Sequence, residues 1–306
     1  MKRLLLTILF VMLAGMAFVV VYLLEAHWEV RSVAPALPTQ AALFKAAGSD
    51  AGPVRIHYIN TASQESAGRK VIHPAYVLEW ADGRLFLIEV GMDREGAQAF
   101  GDVMESYLGA DPIRFFGAAA QQLGARVHNV TGLAVSHLHV DHTGGITQLC
   151  ETVSHQITVY QTEIQATQGN YVTAPGQAHL NEADCASRVV LQSTDIFSFV
   201  DFPGLVAVSA GGHTPGSTIF FANVGGTLWV LAGDIAWTVE DIWSNTPKPA
   251  AYSTFVVPEY GARMEELRHW LKALDADPNI KVLVSHGEAA MLASGMPAWA
   301  PEPPVQ

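Results

Sequence analysis

Two cysteines in 306 residues are too few to frame a small disulfide-built fold, and Cys150 and Cys185 match no zinc-finger spacing. In an exported domain they could pair; two buried thiols are the equal alternative. Basic residues are also scarce: 17 Lys and Arg stand against 29 Asp and Glu, a formal net charge of −12. No run of Lys or Arg occurs beyond the extreme amino terminus. Such a surface is poor for nucleic acid, whose binding depends on phosphate neutralisation, so no nucleic-acid partner is expected. No internal repeat stands out, which leaves one domain-sized unit of alternating strands and helices.

Long apolar runs are absent with one exception. Leu4 to Leu24 carries no charge and is preceded by Lys2 and Arg3. Its length is near the roughly 20 residues that cross a bilayer and exceeds a usual signal-peptide core. Gly15-Met16-Ala17 resembles a cleavage site, but Phe18 to Leu24 continues the apolar run past it. An uncleaved anchor over residues 1–27 is therefore expected, with secretion after cleavage as the alternative. Lys2 and Arg3 against Glu25 and Glu29 place the amino terminus inside and the remaining chain outside. Residues 28–51 are expected as a linker, 52–290 as the folded domain, and 291–306, proline-rich from Pro297, as a loose tail.

What the chain does contain is concentrated. Residues 136–145 read Ser-His-Leu-His-Val-Asp-His-Thr-Gly-Gly directly after the apolar run Leu133-Ala134-Val135. If the strand continues through this stretch, His137 and His139 share a face, because side chains alternate along a strand. A following turn can swing Asp141 and His142 towards the same space. Three imidazoles and a carboxylate make a nitrogen and oxygen site that suits zinc, manganese or iron rather than calcium. Three further apolar runs end in metal-competent side chains: His213 between Gly212 and Thr214, Asp234 after Leu228 to Gly233, and His286 after Lys281 to Ser285.

His137-x-His139-x-Asp141-His142, followed by His213, Asp234 and His286, resembles the metallo-β-lactamase superfamily of hydrolases over about residues 52–290. The resemblance implies an α/β fold, a four-layered αβ/βα sandwich with metals at one edge between two mixed sheets. It implies that His137, His139 and His213 bind one divalent ion, that Asp141, His142 and His286 bind a second, and that Asp234 bridges them. Two ions about 3.5–4 Å apart would lower the pKa of a bridging water and polarise a carbonyl, with Asp141 accepting or relaying a proton. Zinc is the expected metal, with manganese or iron possible.

Within the family, Asp234 disfavours true β-lactamases, and Gly-His-Thr-Pro-Gly-Ser with Leu-Ala-Gly-Asp looks most like the lactonase and esterase branch, including N-acyl-homoserine lactonases. Those lactonases carry a Tyr three residues after the bridging Asp; Trp237 stands there. Trp237 is thus the candidate substrate-binding residue, and Trp243 a second aromatic for an apolar pocket. Glu89 and Thr143 are candidates for orienting imidazoles. The expected substrate is a small carboxylic ester or lactone. A phosphotriester or phosphodiester hydrolase on the same centre and a non-catalytic, membrane-tethered binding protein are the alternatives; the oligomeric state is open.

Coarse patterning fits this fold. Tyr76–Trp80 and Arg84–Val90 read as strands around an Asp82-Gly83 turn. Asp111–Leu123 reads as a helix with Pro112 in its first turn. A short helix is expected over Thr162–Thr167, and Ser217–Phe221 pairs with Thr227–Leu231. Glu259–Leu274 is an amphipathic helix, with Met264, Leu267, Leu271 and Leu274 on one face.

Overall fold

A computed structural model describes residues 2–192 and 194–300. Two sheets face one another. The first holds β1 (Arg55–Ser66), β2 (Arg69–Glu79), β3 (Leu85–Ile88), β4 (Arg114–Phe115), β5 (Val130–Ala134), β6 (Ile157–Thr162) and β7 (Ala186–Leu191), in the order 4-1-2-3-5-6-7. The second holds β8 (Phe197–Ser198), β9 (Leu205–Ser209), β10 (Thr218–Val224), β11 (Thr227–Leu231) and β12 (Ile280–Leu283), in the order 12-11-10-9-8. Both sheets are mixed: β3, β5, β6 and β7 run parallel, as do β11 and β12, and the remaining pairs are antiparallel.

The strand sequences explain the layering. Sheets covered on both faces need apolar residues on both faces, and the strands β3, β9, β10 and β11 read as nearly unbroken apolar runs. In β3, Phe86 and Ile88 point between the sheets, whereas Leu85 and Leu87 point out to the helices. In β10, Phe220 and Ala222 take the inner face and Ile219 and Phe221 the outer. The inner layer is aromatic: Phe86 meets Phe202 edge-on at 4.7 Å between centroids, and Phe199 at 5.5 Å. The helix Gly261–Asp275 covers the outer face of the second sheet with Met264, Leu267, Leu271 and Leu274, the stripe read from the sequence. This is the expected αβ/βα sandwich.

Several local expectations hold and others need correction. The Asp82-Gly83 hairpin joins β2 to β3, and β10 pairs with β11 through Val224 and Thr227. The helix expected over Asp111–Leu123 is only Ala119–Leu123. Ahead of it, Arg114 and Phe115 form the edge strand β4 on Ala62 and Ser63, and Gly117 lies at φ 122°, a conformation that ends any helix begun upstream. The amphipathic helix α3 (Arg94–Leu108), capped by the Asp93 side chain on the Gly96 N–H, was not read from the pattern.

The expected linker over 28–51 is not a free spacer. An N-terminal helix, α1, runs from Lys2 to Arg31, and the short helix α2 (Gln40–Ala47) buries Leu43 and Ala47 against the second sheet. The Trp270 indole N–H donates to the Pro38 carbonyl at 3.1 Å. The expected loose tail is docked as far as it is described: Met291 and Met296 are buried, and Tyr58 exchanges hydrogen bonds with the Pro297 carbonyl and the Trp299 N–H. Residues 301–306 lie outside the described residues.

Cys150 and Cys185 are joined in a disulfide that ties the helix Ile146–Thr152 to the start of β7. Closing a loop of this length is worth about 3–4 kcal/mol through the unfolded chain. Cys150→Ala is therefore expected to lower unfolding stability in urea by about that amount in the absence of reductant. An equal midpoint for both proteins would show that the thiols are free.

Candidate metal centre

The candidate residues gather where strands from both sheets end. Strand β5 stops at Ala134, three residues before His137, so His137 and His139 sit in an extended loop and not on the strand as expected. They still converge: His137 Nε2 lies 2.9 Å from His139 Nδ1. A single helical turn, Val140–Thr143, then carries Asp141 and His142 inward. From the second sheet, β9 leads to His213, β11 to Asp234 and β12 to His286.

Loops that end strands must pair their polar backbone elsewhere, and here they pair with each other. The Thr218 N–H donates to the Ser136 carbonyl at 2.8 Å, and Ser285 N–H to the Gly233 carbonyl at 3.0 Å. The buried Gln165 amide reaches the Val135 carbonyl at 3.0 Å and the Gly216 carbonyl at 3.2 Å, tying the His137 loop to the His213 loop. His286 Nδ1 donates to the Ile72 carbonyl at 2.7 Å, which joins the second sheet to β2.

Three groups of side chains have their ligand atoms within 4.8 Å of one another: His137, His139, His213 and Asp234; His142, Asp234 and His286; His73, Asp141 and His286. Asp234 belongs to two of them. Its Oδ2 is 3.6 Å from His213 Nε2 and 3.1 Å from His286 Nε2, and its Oδ1 is 3.5 Å from His142 Nε2. All seven residues from the sequence motif are thus brought together. Trp237 is close by but outside these groups. It is half-buried, its ring 5.4 Å from that of Tyr252 and 5.8 Å from the Arg69 guanidinium carbon. Trp243 lines no part of the site: it is 48% exposed and donates its indole N–H to Asp275.

The donor set fits divalent cations. His142 Nε2, His213 Nε2 and Asp234 Oδ1 are buried, point into the cluster and have no hydrogen-bond partner among the described residues. Leaving a buried polar atom unpaired costs about 1–3 kcal/mol, so three of them facing one space call for an occupant. Residues 68–286 match the sequence model of the metallo-beta-lactamase superfamily.

The chain belongs to the metallo-beta-lactamase superfamily. Solved structures agree at the level of the fold. An N-acyl homoserine lactone hydrolase with N-hexanoyl-L-homoserine at its catalytic metal centre has a TM-score of 0.58 at 14% identity, covering 79% of this chain and 96% of that one. The dizinc quorum-quenching lactonase AidC gives 0.50 at 15%, covering 77% and 89%. The hydrolase AbOPH gives 0.51 at 17%, covering 79% and 92%. Curated proteins give no match.

In this superfamily member the imidazoles are held by a surrounding layer that sequence reading found only in part. Glu89 behaves as expected: its Oε1 is 3.3 Å from His142 Nδ1 and accepts the Ser136 N–H at 3.1 Å. It does so from a left-handed backbone, φ 66°, a strain of order 1–3 kcal/mol that clusters at functional sites. Thr143 touches no ring of the cluster: it donates to the His139 carbonyl at 3.0 Å, and its hydroxyl lies 2.9 Å from Nδ1 of His179, which is outside the three groups. The sequence gives no sign of Glu259, whose Oε1 accepts hydrogen bonds from His213 Nδ1–H at 2.6 Å and from the Lys248 ammonium at 2.8 Å. It gives none of His73 either, which donates to Asp141 Oδ2 at 3.2 Å. Glu259 lies two residues before the helix Gly261–Asp275 and gave no local signal of this role.

Electrostatics divide the cluster. Burial, reinforced by neighbouring imidazoles, lowers His137 well below its ordinary value and brings His139 to about 3, so both rings are neutral, as ligands must be. At His142 burial opposes the charge, but Asp141, Glu89 and Asp234 outweigh it and raise the ring to about 10. Burial also opposes the Glu259 charge, yet Lys248 and His213 prevail and bring its carboxyl down to about 2. Lys248 further donates to the Asp234 carbonyl at 2.7 Å, so a buried ion pair holds the loop that presents Asp234. The side chains of Lys248 and Glu259 are 3% and 4% exposed. Removing one partner of such a pair costs about 3–5 kcal/mol. Glu259→Ala should therefore lose about that much stability in urea after chelator treatment, while Glu259→Gln loses less; a loss under about 1 kcal/mol for Glu259→Ala would contradict the buried pair.

Proposed function

We propose that this chain is a dinuclear-metal hydrolase of a carboxylic ester or an N-acyl-homoserine lactone-like lactone, with zinc as the ion. The observation that carries this reading is the shared Asp234 carboxylate, with unpartnered imidazole nitrogens on either side of it. In this assignment His137, His139 and His213 would hold one ion and Asp141, His142 and His286 the other, with Asp234 shared by both. When bound, two divalent ions supply an acidified water and a Lewis acid for the acyl oxygen. Asp141 takes the proton from the attacking water and passes it to the leaving alkoxide, with His73 fixing its orientation.

Tyr252 is proposed as the donor to the acyl oxygen, in the role that Trp237 cannot fill as a phenol would. Burial, with the charges of Asp234, Glu259 and Asp141 around it, keeps its phenol protonated well above the ordinary value. Trp237 packs edge-on against Tyr252 and shapes the substrate side of the pocket. For location, α1 is proposed as a membrane anchor with the domain on the outer face. Residues 3–31 form a helix long and apolar enough to cross a bilayer, with a mean hydropathy of 2.9 over its best window. Lys2 and Arg3 then remain inside.

Two measurements test this. Elemental analysis of protein purified in zinc should give about two ions per chain, and about one or fewer for Asp234→Ala; a single ion in both would contradict the bridging role. Against a panel of lactones, esters, thioesters, phosphotriesters and β-lactams, lactones or esters should be turned over fastest. Tyr252→Phe should lower kcat for them by about tenfold or more without changing metal content, since a hydrogen bond to developing charge is worth about 1.5–3 kcal/mol. Turnover confined to phosphotriesters would replace the acyl reading.

A further inference from the structure

The apolar helix is not tethered loosely to the domain but is built into the rim of the metal centre. Helix α1 continues past its apolar run, and Ala26, Val30 and Val33 are 2%, 0% and 4% exposed against the domain. His27 Nε2 donates to the Thr254 carbonyl at 3.1 Å, and the Tyr22 ring stacks on Tyr171 at 5.0 Å. Beyond the helix, the Val33 carbonyl lies so close to Gly211, two residues before His213, that a Cβ there would collide with it. The Arg263 guanidinium clamps the two segments together, donating to the Ala210 carbonyl and to the Pro35 carbonyl, each at 2.8 Å.

These contacts fix the height of the site relative to the apolar helix. Tyr22 lies inside the apolar run, and His27 follows Leu24 by only three residues, about 4.5 Å along a helix. The loop holding Tyr171 and the turn Tyr252–Val256 therefore meet α1 where its apolar run ends. That turn has two faces. The Tyr252 ring centroid lies 5.6 Å from the Lys248 ammonium at the charged centre, whereas Phe255 and Val256, which follow Thr254 in the chain, are 66% and 45% exposed. Trp28, 75% exposed, stands at the same level on α1. Aromatic side chains at the end of a spanning segment prefer the headgroup layer, with their apolar bodies towards the acyl chains.

We infer that the mouth of the metal centre is held against the outer surface of the bilayer, with Phe255, Val256 and Trp28 seated in the headgroup layer, and that the substrate is an acyl ester or lactone whose chain is dissolved in that leaflet. This rests on the anchor and hydrolase readings proposed above. It narrows the substrate class: a long-chain amphiphile reaches the centre by lateral diffusion, its carbonyl rising to Tyr252 and Asp234 while its tail stays among the lipids.

The test uses the full chain in phosphatidylcholine vesicles. With Cys150 and Cys185 paired, single cysteines introduced as Leu13→Cys, Phe255→Cys and Val200→Cys can each carry an environment-sensitive fluorophore. Val200 is 92% exposed and precedes β9, whose other end leads to the site, so it reports the far side of the sheet. A nitroxide placed shallow in the acyl chains should quench the labels at 13 and 255 by half or more and leave 200 unquenched. Quenching at 13 with 255 as bright as 200 would overturn the membrane-facing mouth while keeping the anchor. No quenching at 13, with protein that does not float with vesicles, would overturn the anchor and this inference together. In the same vesicles, p-nitrophenyl decanoate should be cleaved at least tenfold more efficiently than the butyrate, and Phe255→Ser should lower that ratio at least threefold. A ratio near one would overturn the amphiphile assignment. Failure to cleave either ester, with 255 still quenched, would count against the hydrolase reading and not against the geometry.

Discussion

Among the described residues His142 Nε2, His213 Nε2 and Asp234 Oδ1 face one another in a buried space with no hydrogen-bond partner, and most of the surrounding structure serves to hold them there. Unpaired, such atoms would destabilise the fold by several times a typical net hydrogen bond. They persist because each ring is fixed from behind: His213 by Glu259, His142 by Glu89, His286 by the Ile72 carbonyl. Asp234 lies where the two halves of the sandwich meet, and its backbone is held by Lys248. The two apolar sheets bring the strand ends to one edge, and the crosslinks through Gln165 and Ser136 keep the edge from opening.

Much of this centre could be read directly from the chain because the seven motif residues end apolar runs, and apolar runs end where strands do. The local pattern around His137 was misread in one respect: the strand stops earlier, and an extended loop gives the same convergence by another route. The helix expected over Asp111–Leu123 failed for a related reason. Its composition allows a helix, but pairing with β1 recruits Arg114 and Phe115 into an edge strand. Glu259, Lys248, His73 and Tyr252 were out of reach because their roles depend on tertiary proximity alone. Lys248 in particular sits in a stretch that reads as a polar loop, and only burial beside Glu259 gives it meaning.

The amino-terminal segment shows the same limit. Composition reveals an apolar helix, yet it says nothing about the ordered path from Arg31 to α2 or about the clamp that Arg263 places on it. A spacer would leave the orientation of the domain free. A docked segment makes the direction of the apolar helix part of the architecture of the site, so that location and substrate access become one structural question.

The strand-end side chains are proposed to form two ion sites that share Asp234. Diffraction from crystals grown with zinc, recorded at the zinc absorption edge, tests it most directly. Two anomalous peaks about 3.5–4 Å apart are expected. One should lie against His137, His139 and His213 and the other against Asp141, His142 and His286, with Asp234 between them. A single peak, or ions bound away from Asp234, would contradict it.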